Sequence, residues 1–431
     1  MMAFLADHVG RTVDVGEVDG CLEKFIDRWK SAYHVFPSGE AGWYRRLRST
    51  ERIGIVASAN ALSALKSAKA QFPNTQEVIK SLLGRQREDG SWPFVSTLAD
   101  VSVVDSTANV LLTLHDFRDS GDRSDVRNAV DRAIKWLEES QSPDGGWGLI
   151  ANGIYRTYST ALAIQALCVW EKKHTNCFQV GVQKLLATVD GATGGWKDAS
   201  EHLSIPSTAR TILALKYAAG EHASFIAEIG NATLWLCAIA NRTEYWTKGP
   251  LAAVLEEVDV VVQGEHRRVE YGHAPRPRVI QALAFNSPPR YPEVVAGTRS
   301  MVDAISHGDW NEATGARGNE PTSWMLFDVT TAVAAFRGTY LQDFSIVWAD
   351  RKRVIRHGAN ESALSRASRR YWIKAGVCVA CILLIAGLVK TGLVNGITWA
   401  VVVTVVLAFG VNIVSNLITD LMKGSGNQEW R

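Results

Sequence analysis

Asp105 stands in Val103-Val104-Asp105-Ser106-Thr107-Ala108, at the start of an apolar run with helical spacing. A carboxyl group in the first turn of a buried helix has two uses. It can give a proton to a substrate held beside it, or it can sit at the positive end of the helix dipole and only stabilise the helix. Asp328, in Phe327-Asp328-Val329-Thr330-Thr331-Ala332, reads as a second helix-end acid. Near the starts of helices of the same kind stand Arg45, Arg46, Arg48 and Arg52, then Arg156, Arg210, Arg267, Arg268, Arg276, Arg278 and Arg317. Helix N-termini and guanidinium groups together hold anions. Trp43, Tyr44, Tyr155, Tyr158, Tyr271 and Trp324 lie close by and can stack on a base or an isoprenoid. The ligand-binding set expected from this pattern is Arg46, Arg52, Arg156, Tyr158, Arg210, Arg276, Arg278 and Trp324. Its ligand would be a prenyl diphosphate, a nucleotide or an acidic peptide. Solvated surface charge is the plainer alternative.

Other chemistries find less support. Six cysteines are scattered along 431 residues, and only Cys378 and Cys381 have C-x-x-C spacing. They lie in an apolar run without a second ligand pair, so no metal and no cofactor is expected. Cys168 and Cys237 fall on apolar helix faces and read as core. The net charge of +2 gives no global field for nucleic acid. With 47% hydrophobic and 21% charged residues, the chain has ordinary globular composition.

The elements that must position these residues repeat. Gln86-Arg87-Glu88-Asp89-Gly90-Ser91-Trp92 returns as Gln141-Ser142-Pro143-Asp144-Gly145-Gly146-Trp147, and in decayed form as Asp190-Gly191-Ala192-Thr193-Gly194-Gly195-Trp196. Weaker echoes end at Trp246 and Trp310. A second element follows most of them: Ser106-Thr107-Ala108, Ser159-Thr160-Ala161, Ser207-Thr208-Ala209 and Thr330-Thr331-Ala332. Each opens an Ala- and Leu-rich helix that should be buried on most sides, an inner helix. Between them lie amphipathic segments, in which Val126, Val130, Ile134 and Leu137 alternate with Arg127, Asp131, Arg132 and Glu138. Inner helices are expected over 54–66, 101–117, 158–172, 206–219, 276–286 and 323–337. Outer partners are expected over 76–86, 124–140, 177–187, 224–239, 293–306 and 340–352. A further helix over about 20–33 precedes them. The glycines should end the outer helices as left-handed caps, the aspartates should accept N–H bonds in the turn, and each Trp should staple one repeat to the next. Six pairs suggest a closed ring, with an open solenoid as the alternative.

The Q-x-x-D-G-[SG]-W motif resembles the QW repeat of squalene–hopene cyclases, oxidosqualene cyclases and protein prenyltransferase β-subunits. The resemblance covers roughly residues 40–350. It rests on Gln86, Asp89, Gly90 and Trp92, on Gln141, Asp144, Gly145 and Trp147, and on Gly195 and Trp196. It implies an all-α fold, an α6/α6 toroid. Class II cyclases of this family carry D-x-D-D-T-A, whose middle acid protonates an alkene or epoxide. Asp105 falls on that position, but Val103 and Ser106 replace the flanking acids. The D-D-x-x-D and N-S-E clusters of class I ionisation, and the Asp, Cys and His zinc set of the prenyltransferases, have no counterpart.

The C-terminal part differs in kind. Residues 375–389 and 391–419 are two uncharged apolar runs, joined by Lys390 and the turn-like Val394-Asn395-Gly396. They predict two transmembrane helices, a hairpin over 371–419, with a core hairpin or one span plus a re-entrant segment as alternatives. Residues 353–370 form a basic linker, and 420–431 a short tail. The excess of Lys and Arg over 351–374 places the toroid (39–352, after a lead-in at 1–38) on the cytoplasmic side of the inner membrane. No secretory signal is read at the N-terminus. Thr404, Asn412, Ser415 and Thr419 make a polar stripe on the second span. Such a stripe is helix–helix glue or, on oligomerisation, a pore lining. The function expected is a membrane-anchored, non-catalytic toroid that binds a small anionic or isoprenoid ligand or a protein partner and acts through its hairpin, as stress or phage-defence effectors do. Membrane lipid and a homo-oligomer are the other expected partners, nucleic acid is not. The alternative is a divergent cyclase on a membrane-borne polyprenyl substrate, with Asp105 as its acid.

Overall fold

The computed structural model describes residues 15–44, 53–94, 101–118, 123–219, 225–240, 254–284, 292–309 and 322–338. The chain divides into a unit over Met1–Trp348 and a unit over Ala349–Arg431. The second unit, with the expected membrane hairpin, lies outside the described residues, as does the stripe of Thr404, Asn412, Ser415 and Thr419. No helix among the described residues is long and apolar enough to cross a membrane.

The first unit begins with α1 (Val15–Ser31) and a short ribbon of β1 (His34–Val35) and β2 (Ala41–Gly42). Helix pairs follow: α2 (Ile55–Ser67) and α3 (Thr75–Gly84), α4 (Val104–Asp116) and α5 (Arg123–Glu139), α6 (Thr157–Val169) and α7 (Asn176–Ala187), α8 (Ile205–Ala219) and α9 (Ile226–Ala240). A hairpin of β3 (Val254–Val262) and β4 (Glu265–His273) interrupts the alternation before α10 (Pro275–Ala284), α11 (Pro292–Ser306) and α12 (Ser323–Phe336).

The even-numbered helices are the inner ones. α6 is buried at eleven of its thirteen positions, because Ala, Ser, Thr and Leu let neighbours approach on every side. α5 buries Val126, Ala129, Val130, Ala133, Ile134 and Leu137 and exposes Arg127, Asp131, Arg132 and Lys135, as an outer helix must. Each inner helix packs on the next, α2 to α4, α6, α8, α10 and α12, and α12 packs on α2. The ring therefore closes. α1 packs on α11, α12 and α2 and fills the outer position at the seam. The outer helix expected over 340–352 lies outside the described residues.

The repeat motif is a hydrogen-bonded staple. The indole N–H of Trp92, Trp147 and Trp196 donates to the carbonyl of Leu82, Leu137 and Leu185 in the preceding outer helix, at 2.7–2.8 Å. Their backbone N–H groups donate to the hydroxyls of Thr107, Thr160 and Thr208 in the following inner helix, at 2.8–3.0 Å. The middle residue of each S-T-A element is thus the acceptor that the Trp turn requires. Trp43 makes the same pair of bonds, to Trp29 O and Ser58 Oγ. The glycines do not cap helices as expected. α3 and α5 end at Gly84 and Glu139, and Gly90 and Gly145 lie further on, in the turn, with φ of +92° and +95°. A Cβ on Gly90 would also meet the Arg132 carbonyl at 2.5 Å, so the glycine serves left-handed backbone and close approach together. Gln86 and Gln141 tie each turn to the next outer helix through Ala129 O and Cys177 O, 2.8 Å each.

The fold is not all-α. β3 and β4 pair antiparallel over nine residues about Gln263-Gly264, whose φ values of +53° and +86° suit a two-residue hairpin turn. One face of this hairpin, Val258, Val260, Val262 and Val269, buries itself with Val103 and Leu149 in a second small core. Arg267 and Arg268, expected at a helix start, lie on β4 instead.

Candidate functional site

The first two turns of α4, α6, α8, α10 and α12 meet inside the ring, and the β-hairpin covers them. Position 156 is fixed by the staple before it, since the Arg156 N–H donates to Trp147 O at 3.0 Å and starts α6. Its side chain, 1% exposed, reaches Asp105 Oδ2 at 2.7 Å and Ser159 Oγ at 3.1 Å. Its other face clamps Glu256 of β3, through Nε to Oε1 at 2.9 Å and through Nη2 to Oε2. Glu256 shares the inward face of β3 with Val258, Val260 and Val262, so its carboxylate is buried and requires a partner. It has three: Arg156, His273 Nε2 at 2.8 Å, and the Ala199 N–H at 3.3 Å. The Arg156 guanidinium also lies between the rings of Tyr271 and Tyr158, 4.7 and 5.0 Å from their centroids. Burial acts against both charges, yet the ion pairs prevail: Arg156 is pushed up, and Glu256 is held well below the usual carboxylate range.

A second cluster adjoins it through Tyr158. Arg278 of α10 meets Asp328 of α12 through a hydrogen bond from Nε to Oδ2 at 2.9 Å and an ion-pair contact between Nη2 and Oδ1 at 2.7 Å. It also donates to the Tyr158 hydroxyl at 2.9 Å. Arg210 of α8 donates to the same hydroxyl at 3.4 Å and to Gln165 Oε1 at 3.2 Å. Gln281 holds Asp328 O at 2.8 Å. Arg210 pairs with no carboxylate among the described residues, and burial and the neighbouring Arg278 push its guanidinium down.

Of the expected ligand set, the structure thus brings Arg156, Tyr158, Arg210 and Arg278 together, with Asp105 beside them. Arg276 is buried on α10 and Trp324 half-buried on α12. Arg46 and Arg52 lie outside the described residues. Asp328 is no helix-end acid: it sits in the second turn of α12, as the partner of Arg278. Glu256 and His273 were not anticipated. Their signal is the alternation Glu256-x-Val258-x-Val260-x-Val262 before Gln263-Gly264, which marks a strand with one inward carboxylate.

Residues 54–204, from α2 through α7, match the family model of the squalene–hopene cyclase C-terminal domain. The ring is a terpenoid-cyclase-like toroid. Among solved structures, a family 76 glycoside hydrolase from a bovine Bacteroides thetaiotaomicron strain superposes with a TM-score of 0.52 at 12% identity, over 76% of this chain and 78% of that one. A beta-1,3-1,4-glucanase from Paenibacillus gives 0.51 at 11% identity, over 76% and 93%. A type II terpene cyclase from Scytonema, in complex with geranylgeranyl dihydroxybenzoate, gives 0.48 at 12% identity, over 75% and 97%. At such identities the likeness to the two hydrolases is one of fold. In this ring Asp105 accepts a bond from the buried Arg156 guanidinium.

Proposed function

We propose that this chain is a membrane-anchored receptor whose toroid binds an anionic ligand and acts through its C-terminal apolar segments. The observation that carries the reading is the commitment of Asp105 to Arg156, which Glu256 of the hairpin clamps from the other side. A carboxylate held this way serves as an anchor for the cation. The first two turns of the inner helices bury Asp105, Arg156, Arg210, Arg278 and Asp328, which suits a polar ligand better than a hydrocarbon. The uncharged runs 375–389 and 391–419 and the basic stretch before them support the anchor and the cytoplasmic placement of the ring.

A second reading keeps one observation. Asp105 Oδ1 is buried with no hydrogen-bond partner, which is where a proton donor would meet a substrate. Mass spectrometry of small molecules released by denaturing the full-length protein, purified in mild detergent, separates the two. A stoichiometric anionic molecule is expected, retained in Asp105→Asn. A cyclised isoprenoid that disappears in Asp105→Asn would replace the receptor with an enzyme.

A further inference from the structure

Two guanidinium groups share the Tyr158 hydroxyl, and both have N–H groups left over. Arg210 Nε and Arg278 Nη1 are buried without a hydrogen-bond partner. Tyr158 accepts from both arginines, at 3.4 and 2.9 Å, and its own proton finds no acceptor among the described residues. Arg210, Arg278 and Tyr158 are 5%, 4% and 7% exposed. The cluster therefore presents three unused donors, against one acceptor without a hydrogen bond, Asp328 Oδ1, which Arg278 Nη2 already contacts as an ion pair at 2.7 Å. Arg210, unlike Arg156 and Arg278, pairs with no carboxylate among the described residues, although across the two adjoining clusters these three arginines are matched in number by Asp105, Glu256 and Asp328. Buried polar groups are almost always satisfied, and an unpaired buried charge is costly unless something neutralises it. The other arginine of the site needs nothing more, because Glu256 and Asp105 occupy it.

We infer that Tyr158, Arg210 and Arg278 form a subsite for one anionic oxygen group of the ligand, a carboxylate or a phosphodiester. This rests on the receptor reading and adds to it where the ligand's charge sits. The group accepts from Arg210 Nε, Arg278 Nη1 and the Tyr158 hydroxyl, with the ring of His273, 5.0 Å from that of Tyr158, as part of the roof. A neutral group would leave Arg210 unneutralised.

The test is thermal unfolding of the full-length protein in detergent at constant ionic strength, with acetate, dimethyl phosphate or sulfate replacing chloride. Acetate or dimethyl phosphate should raise the Tm of the wild type by about 2–4 °C near saturation. Whichever of the anions is effective names the source. Arg210→Met should abolish the rise. It should also unfold no lower than wild type without added anion, because it removes a buried charge that pairs with no carboxylate among the described residues. Arg127→Met, on the exposed face of α5, should keep the rise. If Arg210→Met lowers the Tm by several degrees and keeps the rise, Arg210 is structural and the inference is overturned. If no anion raises the wild-type Tm, water satisfies these donors and the inference is equally lost. The two ideas fail separately. An anionic molecule released in equal amount from wild type and Arg210→Met sinks the subsite and leaves the receptor. A neutral molecule released from a protein that still responds to acetate does the reverse.

Discussion

Arg156 is the residue on which the buried charges depend. Replacing it with Met would leave Asp105 and Glu256 buried without their cation, the costly case for an ion pair. Arg156→Met should lose about 3–5 kcal/mol in urea unfolding, whereas Arg127→Met on the exposed face of α5 should lose under about 0.5. The same pair sets an acid limb. The folded Glu256 carboxyl titrates below its unfolded counterpart, so its stabilisation is complete above the ordinary glutamate range and is lost as pH falls through and beneath it. Lys216, in the last turn of α8, gives an alkaline limb of the same sign. Burial lowers its ammonium from 10.5 to about 8. Between those values the unfolded chain holds a proton that the folded chain has released, so stability should rise with pH across that window. Urea midpoints from pH 7 to 10.5 should show the rise in wild type and a flatter profile in Lys216→Met.

At the scale of elements, the staple joins three helices through one tryptophan. Thr160 accepts the Trp147 N–H at 2.8 Å and donates in turn to the Trp147 carbonyl at 3.1 Å. Thr160→Val keeps the shape and orphans a buried N–H, and should cost about 1–3 kcal/mol by chemical denaturation. The repeat was legible because its period survives in the sequence. Trp, Gly and the S-T-A hydroxyl recur together, and the observed helices fall close to the expected segments. The closing helix was less legible, since α1 carries no copy of the motif and its role depends on where the chain ends meet. The hairpin was missed for a different reason. Its strands hold Glu256, Glu257, Asp259, Arg267 and Arg268 among the valines, and a search for helical repeats reads such charges as loop or helix start. Half of the candidate site was readable as arginines near inner helices. The other half, Glu256 and His273, comes from an element outside the repeat, and only the fold brings it there.

On the scale of the whole molecule, closure replaces the end caps of an open repeat array. The seam is formed by α1 against α11, α12 and α2, with the Trp29 indole N–H on Thr330 Oγ1 at 3.3 Å and Arg337 paired with Asp19. Trp29 is fully buried, so Trp29→Ala should cost about 3–5 kcal/mol and should speed hydrogen exchange in α12 and α2 more than in α6. Exchange that rises evenly around the ring would show that the seam is no weaker than the repeats. The seam also has a mechanical meaning. The path from the C-terminal segments into the ring runs through α12, the helix that carries Asp328 and flanks the junction. Load on α12 would bear on the seam it shares with α1 and α2 and on the Asp328–Arg278 ion pair that ties it to α10. Pulling at the tail and filling the ring would then be two ways of acting on one strut.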